Sequence, residues 1–297
     1  MLAPALPIEP GAVLGGSYRA DRRIASGGIG EVWAGVDMRS RRAVAIKRLL
    51  PRAASTPAIA ARFEREAEVL ARIYSDFVVR RVDFMTDRRY GRLLVEELVD
   101  GETLARLLVQ RRLTVEQARD LGFNLLRALV ALERAGVVHG DLKPANVILK
   151  PLGGGHKRPI LIDFGSARLI GSAQRPHSCA DDYVVVTFAY MAPEQLSAAS
   201  FGHAADLYAV GGILYRAVAG HRPFANVWGP ELLQIKHSCE VPRLCSGRSD
   251  WMAERLERVV ARALRRNPAE RYQRADDMLT DLMALPQASC GRRASAA

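Results

Sequence analysis

The stretch 137–149, VVHGDLKPANVIL, brings Asp141, Lys143 and Asn146 close together between two apolar segments. A second aspartate, Asp163, follows another apolar segment in LIDFGSA. The runs VIL and ILI are typical of short buried strands, so we expect the polar groups to lie at strand ends. Two carboxylates and an amide supply oxygen ligands for Mg²⁺ and a proton acceptor, which suits phosphate chemistry.

Length and composition allow one large domain or two lobes that share a cleft. The chain has 297 residues, of which 49% are hydrophobic, and this is ample for a buried core. Periodicity predicts a strand-rich first third and a helix-rich remainder, with a boundary near Asp100 and Gly101. Strands are predicted at 18–24, 31–37, 42–48 and 92–99, and helices at 60–73, 103–110, 115–135, 203–219, 251–265 and 275–284.

Charge and cysteine content bear on partners and location. The net charge of +11 could suit a nucleic acid, but the arginines are spread along the chain and mixed with acids. We therefore favour a solvated basic surface and expect no nucleic-acid partner. Four scattered cysteines favour a reducing compartment, and no apolar run is long enough to cross a bilayer. These features predict a cytoplasmic protein without a membrane span.

A glycine-rich stretch precedes a strand that carries a lysine. Glycines in IASGGIGEVW, 24–33, would let the backbone approach a phosphate closely, although such a hairpin is more often only a turn. In AVAIKRL, 43–49, Ala45 and Lys47 face one side of the strand because side chains alternate. A small residue beside a lysine leaves room for a flat ring and supplies a cation for its phosphates.

The predicted helix 60–73 contains a carboxylate among apolar side chains. Phe63, Glu66, Leu70 and Ile73 follow helical spacing, so Glu66 should face the core. A buried carboxylate costs several kcal/mol unless it is paired, and Lys47 is the obvious partner. The alternative is a glutamate at the edge of the stripe that reaches water.

Short motifs now follow one another in a recognisable order. SGGIGEV resembles a kinase glycine-rich loop, VAIK the third-strand lysine motif, and Glu66 the glutamate of the C-helix. HGDLKPAN resembles the catalytic loop, DFG the magnesium motif and MAPE the end of the activation segment. DLYAVGGILYRAVAGHRPF resembles the central helix of the large lobe, and RRNPAERY carries Arg271, which in the family pairs with Glu194. The chain resembles the eukaryotic-type (Hanks-type) serine/threonine protein kinases that also occur in bacteria.

This resemblance implies an α+β bilobal protein-kinase fold, with a small strand-rich N-lobe containing one main helix and a larger, mostly helical C-lobe. The expected organisation is an N-terminal tail at 1–17, a kinase domain at 18–285 with lobes at 18–100 and 101–285, and a C-terminal tail at 286–297. The cofactors it implies are ATP and Mg²⁺, with Mn²⁺ as an alternative. The partners it implies are protein substrates, with a homodimer through the N-lobe or the activation segment.

The resemblance also assigns roles to residues. Lys47 would hold the α- and β-phosphates with Glu66 orienting it, while Asp141 would orient and deprotonate the acceptor hydroxyl. Lys143 would neutralise charge on the transferring phosphoryl group. The implied metal ligands are Asn146 and Asp163. The implied nucleotide-binding residues are Ile24, Ser26, Gly27, Gly28, Gly30, Val32, Ala45, Lys47, Glu97, Val99 and Ile148.

The class of acceptor depends on two positions. Lys143 stands two residues after Asp141, as in serine/threonine kinases, and Thr187 occupies the place of their substrate-facing threonine. These positions favour transfer to protein hydroxyls. One alternative is a small-molecule phosphotransferase of the aminoglycoside type, whose loop also contains HGD. Another is an ATP-binding pseudokinase or regulatory module.

Three features depart from the family pattern. Ala25 replaces the first glycine of the loop, and Glu96 falls at or beside the gatekeeper position behind the adenine pocket, where an apolar residue is usual. Gly140 stands where many of these kinases have an arginine whose charge is neutralised by a phosphate on the activation segment. The glycine predicts activity without that phosphorylation.

Overall fold

The computed structural model describes residues 6–171, 188–196, 201–225 and 227–284. Its first part is a six-stranded antiparallel sheet with the strand order β1-β2-β3-β4-β6-β5. The strands of this sheet are β1 Val13–Leu14, β2 Tyr18–Ser26, β3 Gly30–Asp37, β4 Ala43–Leu49, β5 Arg81–Asp87 and β6 Gly91–Glu97. Two helices follow β4, namely α1 Pro51–Ala54 and α2 Pro57–Leu70.

The second part is mainly helical. Its helices are α3 Leu104–Gln110, α4 Val115–Arg134, α5 Pro193–Leu196, α6 His203–Ala219, α7 Gly229–Ser238, α8 Trp251–Ala263 and α9 Ala275–Met283. Its short strands are β7 Glu102–Thr103, β8 Val137–Val138, β9 Val147–Gly153, β10 His156–Leu161 and β11 Arg168–Leu169. The predicted α+β bilobal fold is therefore confirmed. Within the described ranges, no helix has both the length and the apolar character needed to span a bilayer.

Most predicted elements are present with small differences at their ends. The helix predicted at 115–135 is α4, which begins at a capping box between Thr114 and Gln117. The predictions omitted β5 and α7. Every residue of β5 is partly or largely exposed, so it lacks the alternating burial of a half-buried strand. The α7 pattern is short and begins with Gly229 and Pro230, which read as a turn in the sequence.

Two hydrophobic cores position the site. The larger core joins both lobes and runs from α2 through α4 and α6 to α9. The smaller core is formed by side chains on one face of the sheet, among them Trp33, Val44 and Ile46. Residues ahead of position 18 also contribute to it, because β1 pairs with β2 and Ile8 is buried. The opposite face of the sheet lines the cleft between the lobes.

Candidate active site

The lysine of β4 meets the glutamate of α2 in the cleft. Lys47 Nζ donates a 2.5 Å hydrogen bond to Glu66 Oε1, as predicted. Glu66 is only 6% exposed, so the alternative of a glutamate that reaches water is wrong. Burial alone would lower the pKa of Lys47, but the carboxylates of Glu66, Glu96 and Asp163 outweigh it and raise that pKa. The ammonium group is thus held charged at the back of the cleft.

A second carboxylate competes for the same lysine. Glu96 lies opposite Ala45 in the β4–β6 register, so it does face the cleft beside Lys47. Its Oε1 forms an ion pair with Lys47 Nζ at 3.1 Å, and this buried oxygen has no hydrogen-bond partner among the described residues. Burial raises the pKa of Glu96 to about 7, although Lys47 acts in the opposite direction.

A buried aspartate of α6 holds the loop 139–146 in place. Asp206 accepts hydrogen bonds from the N–H of His139 at 2.7 Å and of Gly140 at 2.9 Å. Gly140 has φ +77°, and a Cβ there would lie 3.0 Å from the Ser166 carbonyl oxygen. Because that conformation is strained for other residues, the glycine lets the loop pass close to the Asp163–Ser166 segment.

The three polar residues of the loop converge as the sequence predicted. Lys143 Nζ donates to Asp141 Oδ2 at 2.7 Å. Asn146 Nδ2 donates to the Asp141 carbonyl oxygen at 2.9 Å, which fixes the turn between them. All three side chains are at least partly buried. Their arrangement provides a carboxylate beside a cation, at the mouth of the cleft that contains Lys47.

Asp163 stands across from this loop in an unusual backbone conformation. Its φ is +64°, in the left-handed region, and its Oδ1 accepts from the Gly165 N–H at 3.3 Å. Burial would raise the pKa of Asp163, but the charges of Lys47, His139 and Lys143 and the Gly165 N–H together lower it. Phe164 packs under the loop, with its ring centroid 4.8 Å from that of His139. The carboxylate is therefore held ionised, and its oxygens could serve as ligands for a metal ion.

The glycine-rich loop forms the tip of the β2–β3 hairpin. Gly27 N–H donates to the Gly30 carbonyl oxygen at 2.8 Å, which closes the turn. A Cβ at Gly30 would lie 2.7 Å from the Arg48 carbonyl oxygen, so the close approach of β4 requires a glycine here. Ser26, Gly27 and Gly28 are exposed at this tip, where their backbone is accessible.

Of the residues predicted to bind the nucleotide, Val32 and Ala45 lie on the six-stranded sheet, whereas Ile148 lies on β9 of the large lobe. Val32 pairs with Lys47, and both are only partly buried, as are Ala45 and Ile148, while Ile24 at the rim is exposed. The N–H of Glu97 already donates to the Arg80 carbonyl oxygen at 2.9 Å.

Val99, two residues beyond the end of β6 in the segment that connects the lobes, is 8% exposed, and its N–H has no acceptor among the described residues. This N–H is therefore available as a donor. A planar ring with a hydrogen-bond acceptor would satisfy it.

Two buried cations of the large lobe contact the segment 188–194. Arg271 donates to both oxygens of Glu194, at 2.7 and 2.8 Å. The predictions omitted Lys236 of α7, whose ammonium group is buried against the backbone of residues 188–191. Its only signal in the sequence is the rarity of lysine, because the chain contains five lysines among 43 cationic residues. Thr187 lies outside the described residues.

Comparisons with known proteins agree with this geometry. The protein kinase domain family matches residues 18–283. The serine/threonine-protein kinase PknL of Mycobacterium tuberculosis is 33% identical over 282 residues, which cover 95% of this chain and 68% of that protein. PknA of the same organism is 34% identical over 288 residues, which cover 95% of this chain and 64% of the relative.

A solved structure shares the fold. The crystal structure of a double mutant of the Mycobacterium tuberculosis PknI kinase domain has a TM-score of 0.68 and 25% identity, covering 93% of this chain and 98% of the other. The family match spans nearly the whole chain, and both curated relatives are protein kinases of the type that the motifs resemble. The chain belongs to the protein kinase family and is a Hanks-type bacterial serine/threonine protein kinase.

Proposed function

We propose that the cleft transfers the γ-phosphoryl group of ATP to a protein hydroxyl, with Asp141 orienting the acceptor and taking its proton. The observation that carries this proposal is the convergence of Asp141, Lys143 and Asn146 opposite Asp163 and the Lys47–Glu66 pair. Phosphoryl transfer requires little covalent chemistry from the protein, so positioning and charge account for most of the catalysis.

The residues present fit a nucleotide with a divalent cation, which the family uses. The Val99 N–H, which has no acceptor among the described residues, and the partly exposed Val32, Ala45 and Ile148 suit adenine. The Glu97 carbonyl would be the second hinge contact. The bound metal ion would neutralise charge on the phosphates.

Asn146 and Asp163 supply oxygen ligands for that ion, and an ion held by few protein groups and by phosphates is characteristic of Mg²⁺ rather than of a closed protein cage. We therefore expect Mg²⁺ to support activity, with Mn²⁺ able to replace it.

Each charged side chain of the site would have a separate role in the reaction. Lys47 would hold the α- and β-phosphates while Glu66 keeps its ammonium group in place. Lys143, now bonded to Asp141, would turn toward the transferring phosphoryl group and stabilise its negative charge. Asp141 would then be free to accept the proton of the attacking hydroxyl.

The alternatives are less well supported. A small-molecule phosphotransferase has no need of the segment 188–194, yet here Arg271 and Lys236 bind that segment tightly. A pseudokinase usually lacks a group needed for transfer, whereas Lys47, Asp141, Asn146 and Asp163 are all in place.

The decisive experiment offers different acceptors to the purified chain. Labelled ATP and Mg²⁺ are incubated with dephosphorylated casein, and separately with aminoglycosides. We expect label on casein serine and threonine and none on the small molecules. Label on an aminoglycoside alone, or ATP binding without transfer to any acceptor, would contradict the proposed function.

Domain limits, assembly and location extend the same proposal. We propose a kinase domain at 18–285, with the packed residues 6–17 added to its small lobe. A homodimer through the N-lobe or the activation segment and a cytoplasmic location are consistent with this function. Sedimentation at several protein concentrations would test the dimer.

The carboxylate of Glu96 predicts a pH dependence of ATP affinity. Its pKa is raised to about 7 by burial, so it is protonated below that pH and ionised above it. The ionised form holds Lys47 and competes with the phosphates, so the KM for ATP should rise between about pH 6 and about pH 8. In Glu96→Gln the carboxylate is absent, and this rise should disappear.

A companion substitution tests whether the carboxylate restrains the enzyme. Glu96→Met is expected to keep or raise turnover and to widen the range of inhibitors that bind, because the pocket loses a buried charge. Steady-state rates and inhibitor titrations would measure both effects. Loss of folding or of activity in Glu96→Met would show that the carboxylate is structural.

Gly140 predicts activity without phosphorylation of the activation segment. The space that a side chain would enter is filled by Phe201, on whose ring the Arg168 guanidinium stacks at 3.4 Å. The described hydrogen bonds of Gly140 involve no cation, since its N–H donates to Asp206 Oδ1 at 2.9 Å and its carbonyl oxygen accepts from Gln195 Nε2 at 2.8 Å. The segment from Asp163 to Glu194 offers hydroxyl groups for autophosphorylation at Ser166, Ser172, Ser178, Tyr183 and Thr187, and fixed negative charge at Asp181 and Asp182. All of these except Ser166 lie outside the described residues.

The test compares initial rates of phosphatase-treated protein and of protein preincubated with ATP, at equal concentration. We expect the two rates to agree within about twofold, even if the segment autophosphorylates. A rise of about tenfold, equivalent to about 1.4 kcal/mol in the barrier, would show that another cation replaces the missing arginine. Arg62 is the first candidate, because its Nε donates to the Gly165 carbonyl oxygen.

A further inference from the structure

A buried lysine binds the backbone that follows the activation segment. Lys236 of α7 is 2% exposed. Its ammonium group donates to the carbonyl oxygens of Phe188 at 2.8 Å, Ala189 at 3.0 Å and Met191 at 2.6 Å. An ammonium group has three hydrogens, so its full donor capacity is directed at one short stretch of main chain.

No carboxylate of the described residues pairs with the charge of this lysine. Within the part of the chain that the structure describes, Lys236 forms no ion pair, and Glu194 binds Arg271 instead. The ring of Tyr208 from α6 lies with its centroid 5.3 Å from Lys236 Nζ. A buried cation is costly unless it is hydrogen-bonded, so the ammonium group and the carbonyl groups stabilise each other.

The groups around Lys236 make its charge sensitive to the environment. Burial lowers its pKa to about 7, the positive charges of Arg222 and Arg271 act in the same direction, and Glu194 opposes them. The carbonyl oxygens favour the charged form. Loss of the proton would remove one of the donated hydrogen bonds and turn a lone pair toward a carbonyl oxygen.

The stretch that Lys236 holds borders the place where an acceptor must approach. Tyr190 and Met191 lie beside Asp141 and line the same narrow internal gap. Gln195 links the next turn to the loop, because it accepts from the Ala192 N–H at 2.9 Å and donates to the Gly140 carbonyl oxygen. A shift of residues 188–191 would therefore change the surface next to the catalytic aspartate.

We propose that Lys236 is a positioning residue for the protein substrate: its ammonium group fixes residues 188–191 in the form that receives the acceptor and ties them to α7. This proposal rests on the proposed function, since it concerns the protein acceptor of that reaction. Lys236 does not touch the nucleotide residues described above, so its effect should fall on the acceptor and not on ATP.

The first arm of the test separates the two substrates. In Lys236→Met, which removes the charge at similar length, the KM for dephosphorylated casein should rise by about tenfold or more. The affinity for ATP and the slow hydrolysis of ATP by water should stay within about twofold of wild type. Gln234→Met, at an exposed position of the same helix, is the matched control and should behave as wild type.

The second arm uses pH and does not depend on a variant that folds. In the wild-type enzyme the KM for casein should rise between about pH 6.5 and about pH 8.5, because Lys236 loses its proton in this range. The rate of ATP hydrolysis by water should change little over the same range, apart from the effect of Glu96 on ATP affinity. Lys236→Arg keeps its charge throughout, so its KM should vary less with pH.

The outcomes distinguish this proposal from the proposed function. A wild-type chain that hydrolyses ATP but labels no protein contradicts both. An active wild type whose KM for casein is unchanged in a folded Lys236→Met variant overturns the role of Lys236 alone. If Lys236→Met does not fold, as judged by circular dichroism, the wild-type pH series decides, and a flat KM overturns the proposal.

Discussion

Asp141→Asn is expected to lower the rate of phosphotransfer by about 10²–10⁴-fold while leaving ATP affinity nearly unchanged. The amide has the shape of the carboxylate but cannot accept the proton of the acceptor hydroxyl. Within the described residues, Asp141 forms hydrogen bonds with His139, Lys143 and Asn146 in the loop, and none with the sheet that should bind adenine. The loss should therefore appear in kcat for the protein acceptor.

Two measurements on the same protein check this result. Isothermal titration gives the Kd for ATP with Mg²⁺, and label transfer to casein gives the rate. Asp120→Asn, an aspartate on the exposed side of α4, is the matched control and should keep both values. An equal loss of ATP affinity and of rate in Asp141→Asn would show that the aspartate supports the nucleotide and not the acceptor.

Periodicity and charge were enough to predict the Lys47–Glu66 contact. A carboxylate in the apolar stripe of a helix needs a cation, and the alternation of β4 places Lys47 on the cleft side. The convergence of Asp141, Lys143 and Asn146 was equally accessible, because these residues are close in sequence and bounded by strands. Local spacing therefore predicts this part of the site.

Contacts that depend on strand register or on distant segments were harder to predict. Glu96 could be placed only to within one residue, and a shift of one residue would have turned it to the opposite face of the sheet. The contact of Lys236 with residues 188–191 joins segments that are 45 or more residues apart, through carbonyl groups that carry no sequence signal. Any residue type offers the same carbonyl, so composition cannot reveal the acceptor.

Arg271→Met is expected to lower the free energy of unfolding by about 3–5 kcal/mol, because it removes the buried guanidinium group that pairs with the largely buried Glu194 carboxylate. Arg271 is 1% exposed. Its guanidinium group donates to both oxygens of Glu194 and to the carbonyl oxygens of Arg265, Arg266 and Ala204, so all of its N–H groups are used. No other side chain could replace this set of contacts.

Urea denaturation measures the loss, and two further variants identify its origin. Arg258→Met, at an exposed position of α8, should change the free energy of unfolding by no more than about 0.5 kcal/mol. The double variant Glu194→Gln/Arg271→Met should be less destabilised than the sum of the single variants, because both members of the pair are removed together. A loss below about 1 kcal/mol in Arg271→Met, or strict additivity in the double variant, would mean that water or another cation reaches Glu194. The Arg271–Glu194 pair would then position α5 without stabilising the large lobe. In that case Arg271→Met should raise the KM for the protein acceptor instead.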